Sequence, residues 1–263
     1  MSNIHPTAII DKQAQIASSV VVGAYSVIGP HVVIDDDCII HPHVVIDGRT
    51  TIGKNCEIFS FACLGKAPQH LRYEGEPSEL IIGDNNIIRE HVTMHIGTKL
   101  GHMKTVIGND GMFMASSHVA HDCVVGDHFI LGQNAALGGH CEVADHVYFG
   151  AYSAAHQFVR VGHSAMIGGL TAVIADVIPY GNVYGERGMM QGLNLVGMRR
   201  RGMPKEEVRA IKAAYDALFL AEGIFKDNLE KVAQHYGDLP AVQDMITFIK
   251  ADASRPLSLP KMS

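Results

Sequence analysis

The chain is predicted to be mainly β, a three-sided parallel β-solenoid followed by a small α-helical domain. Three observations carry this. Aliphatic residues recur at every sixth position, a column of small side chains keeps the same beat four residues later, and past residue 190 helical spacing takes over.

The first block runs Ile4, Ile10, Ile16, Val22 and onward to Ile58 and Leu64, eleven consecutive hits. The beat returns at Ile82, Ile88 and Met94, then at Ile107, Phe113, Val119 and on to Val173. A helix repeats at about 3.6 residues and a strand at about 2, so neither explains a period of six. Short flat faces with one inward aliphatic each do explain it, and an internal repeat outranks other fold signals. Ala8, Ala14, Cys38, Cys56, Ala62, Cys123, Ala135, Cys141 and Ala165 fill the second interior column. Gly often follows the anchor, as at Gly23, Gly53, Gly108 and Gly126, which predicts unusual φ/ψ at that corner. Three hexads make one coil, and coils stack at about 4.8 Å, the ordinary strand spacing.

Two irregularities interrupt the prism. The segment Lys66 to Glu79 loses both columns, and its anchors Leu64 and Ile82 stand 18 residues apart, so it replaces a coil or bulges from one. Met94 and Ile107 are 13 apart, one more than two hexads. Long excursions from a compact repeat are usually functional. The expected organisation is a solenoid over 1–190, with loop insertions near 65–80 and 96–106, and a helical domain over 191–263. In the latter, Val208, Ile211, Tyr215 and Leu218 form an apolar stripe after Pro204, Glu206 and Glu207. Leu229, Val232, Tyr236 and then Val242, Met245, Ile249 indicate two further helices, which would cover the open strand edge of the last coil.

Composition narrows the function. The 263 residues carry a net charge of −6, which argues against a general nucleic-acid binder. No apolar run reaches the roughly 20 residues of a membrane span, and no signal peptide is expected before the first repeat. Four of the five cysteines fall in the small-residue column and read as buried hydrophobes of a cytoplasmic protein.

Sixteen histidines are the chemical signal. His118, His121 and Asp122 lie within five residues, His140 follows Asp122 by 18, and His156 with Gln157 comes about a coil later. A histidine beside a carboxylate is a competent general base near neutral pH. His31, His41, His43, His128, His146 and His163 read instead as solvated corner residues. Three histidines on stacked coils are also the zinc set of solenoid carbonic anhydrases, but His118 and His121 are expected to straddle a corner, and no metal is predicted. Arg199, Arg200 and Arg201, in an acidic chain, predict an anionic partner such as a pyrophosphate or an acidic carrier protein.

The hexads, HVAHDC at His118 to Cys123, HQF at His156 to Phe158, NLVGMRRRG at Asn194 to Gly202, HIGT at His95 to Thr98 and the Gln69 to Pro77 loop together resemble the UDP-N-acetylglucosamine acyltransferase family along the whole chain. That resemblance implies a left-handed parallel β-helix of hexapeptide repeats with a C-terminal helical domain, assembled as a cytoplasmic homotrimer. It implies transfer of a (3R)-3-hydroxyacyl chain from acyl carrier protein to the 3-position of UDP-N-acetylglucosamine, the first step of lipid A biosynthesis, without metal or other cofactor. The family's base matches His121, its orienting acid Asp122 and its oxyanion donor the Gly139 N–H. Its substrate contacts fall on Gln69, His70, Arg72, His95, His118, His140, His156, Gln157, Asn194, Arg200 and Arg201, and its acyl-length position on Gly169. His70, Arg72 and Val196 depart from the family's aspartate, lysine and glutamate around the sugar. They leave open a 3-amino sugar acceptor, which some relatives use. A later N-acyltransferase of the same pathway carries an extra N-terminal domain, whereas the hexads here begin at Ile4.

Overall fold

The computed structural model describes residues 3–251 and 255–260. Most strands are two residues long, and they line up as three sheets of nine, eight and ten strands, parallel except for the last strand of the third, that form the faces of a prism. The first sheet opens with Ile9–Ile10, the second with Gln15–Ile16 and the third with Val21–Val22. Register follows the beat: Ile10 pairs with Ile28, and Ile28 with Ile46. Anchors from Ile28 to Val173 are almost wholly buried and stack into one core.

The small column does more than save space. Cys38 Sγ donates to the Gly53 carbonyl at 3.0 Å, Cys123 Sγ to that of Gly138 at 3.1 Å and Cys141 Sγ to that of His156 at 3.2 Å. Ser26 Oγ does the same for His41 at 2.8 Å. Each adds a hydrogen bond to a corner carbonyl of the next coil. The Cys123 thiol is pushed up by burial and by Cys141 beside it, as expected of an inert interior thiol.

The corners differ from expectation. Left-handed backbone occurs three residues after the anchor, at Asn55, Asn85, Asp122, His140 and their equivalents, while the glycines directly after the anchor have ordinary φ. Gly65, after Leu64, is an exception with φ +77°; the others answer to a close approach. A Cβ at Gly108 would lie 2.7 Å from the Gly126 backbone, and one at Gly126 would lie 2.8 Å from that of Asp145. The enrichment of Asn, Asp and His in the left-handed column follows from their tolerance of that region. Most such residues donate their N–H to a carbonyl one coil back, as His140 does to His121 at 3.0 Å and Phe158 to Gly139 at 2.9 Å.

Both breaks in the beat are corner insertions, and neither is a replaced coil. Leu64 pairs with Met94 in the first sheet, and Ile52 with Ile82 in the second, so the excursion over 67–78 leaves the prism between those two faces. Met94 pairs with Val119, and Ile82 with Ile107, so the shorter excursion over 96–103 leaves at the same edge one coil later. The loops are tied together: Ser78 Oγ donates to the Gly97 carbonyl at 2.5 Å, the Lys99 N–H donates to Glu76 Oε1 at 2.9 Å, and Lys99 Nζ pairs with Glu74.

At the far end an antiparallel hairpin, Gly181–Tyr184 with Met189–Leu193, extends the third sheet. The tail lies along Asp176 through Leu257. Hairpin and tail, rather than the helices as expected, therefore take up strand edges of the last coil. Buried Asp176 accepts from the Arg160 N–H at 2.9 Å and from Arg160 Nε at 2.8 Å, and Arg255 Nε stands 3.5 Å away. Among the described residues four helices follow: α1 (Leu195–Arg200), α2 (Lys205–Phe219), α3 (Phe225–Tyr236) and α4 (Pro240–Ala251). The last three match the apolar stripes. The first went unforeseen because it has a single buried residue, Met198, and is started by the Asn194 side chain, which accepts from the Gly197 N–H at 2.9 Å.

Candidate active site

The edge that carries both loops continues as the histidine corner. Val119 and Leu137 are successive anchors of the first sheet, so the residues after them, His121–Asp122 and Gly139–His140, stack one coil apart. Asp122 is 1% exposed and His121 8%. His121 Nδ1 lies 2.9 Å from Asp122 Oδ2, which leaves Nε2 as the basic nitrogen. Gly139 sits against that ring: a Cβ there would lie 2.6 Å from His121 Cε1 and 2.8 Å from Nε2. The Gly139 N–H donates to no other group among the described residues.

The Asp122 carboxylate is held from several sides. It accepts from the Thr98 N–H at 3.0 Å, the Thr98 hydroxyl at 2.7 Å and the His102 N–H at 3.0 Å, all from the shorter loop. Burial alone would push its carboxyl up. The hydrogen bonds from His121 and Thr98, with His140 nearby, outweigh burial and hold it at about 2.

A ring of imidazoles surrounds the pair. His70, at the tip of the longer loop, meets His121 edge-on with centroids 5.0 Å apart, and His140 does so from the opposite coil, also at 5.0 Å. His140 stacks on Phe158 at 4.4 Å. Burial pushes His140 down against the pull of Asp122. His118 shares a 2.7 Å hydrogen bond with the Thr93 hydroxyl and lies edge-on to His95 at 4.8 Å. Burial, reinforced by His118 and His121, pushes His95 down to about 4, so both rings of that wall are neutral at pH 7.

His121, Asp122 and His140 have donor atoms within 4.8 Å of one another, the one such grouping among the described residues. His118 is not part of it, because its ring is turned to Thr93, so the three-histidine zinc set is not assembled. Both Asp122 oxygens already accept hydrogen bonds, so this is the arrangement of an oriented base rather than of a metal ligand.

The other expected residues fall into separate groups. His156 and Gln157 are exposed on the same edge one coil further on, and Gln69 and Arg72 are exposed on the longer loop. Gly169 is exposed at the corner that follows the third sheet, a different edge. Asn194, Arg200 and Arg201 line a cavity of about 1060 Å³ whose floor is the outer face of the third sheet, at Met112, Ile130, Tyr148 and Met166. None of His118, His121 and His140 lines that cavity. His128 and His146 do, stacked at 4.5 Å, and so have a defined place that sequence reading did not assign them. Sequence reading also missed Thr93, Thr98, Thr105 and His102 as parts of the site. The odd 13-residue spacing was the available signal for Thr98, Thr105 and His102.

A three-sided prism of hexads, with a histidine–carboxylate pair set against a backbone N–H on one edge, defines a transferase of the hexapeptide-repeat class. Residues 1–36 match the bacterial transferase hexapeptide model, and residues 176–257 match the second domain of UDP-N-acetylglucosamine O-acyltransferase. An acyl-[acyl-carrier-protein]–UDP-N-acetylglucosamine O-acyltransferase of Caulobacter vibrioides is 51% identical over 98% of both chains. A crystal structure of UDP-N-acetylglucosamine acyltransferase superposes with a TM-score of 0.94 at 40% identity, over 98% of this chain and 99% of that one. The Campylobacter jejuni enzyme superposes at 0.93 with 36% identity, over 98% and 100%. The chain belongs to the UDP-N-acetylglucosamine O-acyltransferase family, and its prism is the left-handed β-helix which that membership implies.

Proposed function

We propose that the chain transfers a (3R)-3-hydroxyacyl group from acyl carrier protein to the 3-hydroxyl of UDP-N-acetylglucosamine, the first step of lipid A biosynthesis. The observation that carries this is the 2.9 Å His121–Asp122 contact set against Gly139. His121 Nε2 takes the proton of the sugar hydroxyl as its oxygen attacks the thioester carbon. The negative charge on the thioester oxygen is met by the Gly139 N–H, a contribution of order 10²–10³ in rate. As the C–S bond breaks, the imidazolium returns the proton to the departing thiolate, so the reaction balances without metal or nucleotide cofactor.

His70, His95, His118, His140, His156, Gln157, Gln69 and Arg72 surround the sugar and the pantetheine arm, and Gly169 borders the acyl chain. Asn194 and Arg201 meet the nucleotide and Arg200 the carrier's phosphopantetheine. Because the cavity lined by Asn194, Arg200 and Arg201 excludes the histidine corner of its own chain, a homotrimer with sites shared between neighbours fits this division. Among the described residues no helix is long and apolar enough to cross a membrane, consistent with work on a soluble carrier in the cytoplasm. The test is His121→Ala, assayed for transfer from the carrier to UDP-N-acetylglucosamine. Turnover should fall by at least about 10² with assembly intact, and near-full activity would remove His121 from the mechanism.

A further inference from the structure

The base reading explains His121 but not why the corner before it is rebuilt. The seven-residue lengthening between Met94 and Ile107 interrupts an otherwise regular edge and buries polar backbone, which a neutral insertion would avoid. Its contacts converge on one carboxylate. Thr98 is 1% exposed, and both its N–H and its hydroxyl donate to Asp122, one to each oxygen. The His102 N–H adds a third bond, and Gly101 packs so closely that a Cβ there would lie 2.4 Å from Asp122 Cγ. The Asp122 N–H donates to the Thr105 hydroxyl at 2.9 Å, as the Tyr25 and Asp37 N–H groups at equivalent corners do to the Thr7 and Ser19 hydroxyls. The side chain of Asp122 is thus held by the lengthened segment, and its N–H by Thr105 in the strand that follows it.

We infer that Thr98 is a positioning residue for the reaction: its hydroxyl and N–H hold the Asp122 carboxylate so that one oxygen stays aimed at His121 Nδ1. This rests on the reading of His121 as the base. Without the hydroxyl, Oδ2 keeps His121 as its one close donor. The carboxylate becomes free to turn, and its charge is shared among fewer donors. Turning weakens the orientation of the ring. A less satisfied carboxylate binds the imidazolium more tightly, so the histidine must be deprotonated at higher pH before it can act. The other titratable groups facing the pair are His70 on the longer loop, His102 on the shorter one, His140 in the next coil, and His95 and His118 on the first sheet. Lys99 beside Thr98 is engaged by Glu74 and Glu76.

The experiment compares the full-length wild type with Thr98→Val, Thr98→Ser and His121→Ala, over a pH series with carrier-bound acyl donor and UDP-N-acetylglucosamine. Valine keeps the shape and the backbone donor but removes the hydroxyl; serine restores it. For Thr98→Val, kcat should fall about tenfold with KM within about twofold, the acid limb of kcat/KM should move up by about half a pH unit, and Thr98→Ser should recover both. Thr98→Val within about twofold of wild type, with its acid limb unmoved, overturns the inference while leaving the base reading intact. So does an equal loss in Thr98→Val and Thr98→Ser without a change in pH profile, since that marks a role in folding alone. Wild-type turnover in His121→Ala would overturn the base reading and this inference with it.

Discussion

Gly139 lies against His121 so closely that a β-carbon there would stand 2.6 Å from the ring's Cε1, inside contact distance. Its φ is ordinary, so alanine fits the backbone, and the three atoms nearest that β-carbon all belong to the imidazole. Gly139→Ala should leave the prism folded and displace the ring that the mechanism uses. We expect kcat to drop about a hundredfold or more with little change in melting temperature. Retention of more than half the activity would show that the ring does not work from this position.

Asp122→Asn tests orientation separately from shape. The amide keeps the size of the carboxylate but presents a donor where His121 Nδ1–H now donates, which favours the wrong tautomer. A fall in kcat of roughly 10²–10⁴ is expected, and a change confined to KM would contradict the assignment.

The proposed division of the site between chains predicts complementation. His121→Ala and Arg201→Ala chains should each be inactive as pure assemblies. Co-expressed, they should regain activity, to about a quarter of wild type if they mix at random, because some sites then combine an intact histidine corner with an intact neighbouring cavity. Mixed assemblies as inactive as the parents would place both residue sets in one chain's site.

Acid should loosen the protein before its carboxylates titrate. Burial holds His95 down at about 4, and it lowers His118, His140 and His163 as well. Between the ordinary histidine range near 6.5 and the depressed native value, the unfolded chain binds protons that the folded chain does not. Stability therefore falls as pH drops through that window and levels off below about 4 for His95. Urea midpoints from pH 7 to pH 4.5 should decline, and His95→Gln should flatten the decline. An unchanged slope in the variant would exclude His95 as a source.

The end of the prism depends on a buried ion cluster. Asp176→Ala would leave the Arg160 guanidinium, 2.8 Å from the carboxylate, without that partner. A loss of about 3–5 kcal/mol is expected in equilibrium unfolding, and a loss below about 1 kcal/mol would mean that Arg160 finds other compensation.

The period-six beat determined, by itself, that this chain stacks into a three-sided prism, because only one inward aliphatic per short face satisfies that repeat. It also marked where the prism is interrupted, and the adjacency of His121 and Asp122 marked the pair proposed as base and orienting carboxylate. Counting failed at the interruptions for a definite reason. Leu64 and Ile82 are 18 residues apart, which is equally one coil or one corner with a long loop, and only strand pairing separates the two. Once both excursions share an edge, Thr98 meets Asp122 and His70 meets His121, contacts between residues 24 and 51 positions apart that no local pattern encodes. The glycines after the anchors were legible as special but not for the right cause, since a periodic glycine looks the same whether it needs a positive φ or room for the next coil. Where Asn194 and Arg201 stand relative to the histidine corner was likewise settled only in three dimensions, because helix α1 and the hairpin carry them to another face of the prism.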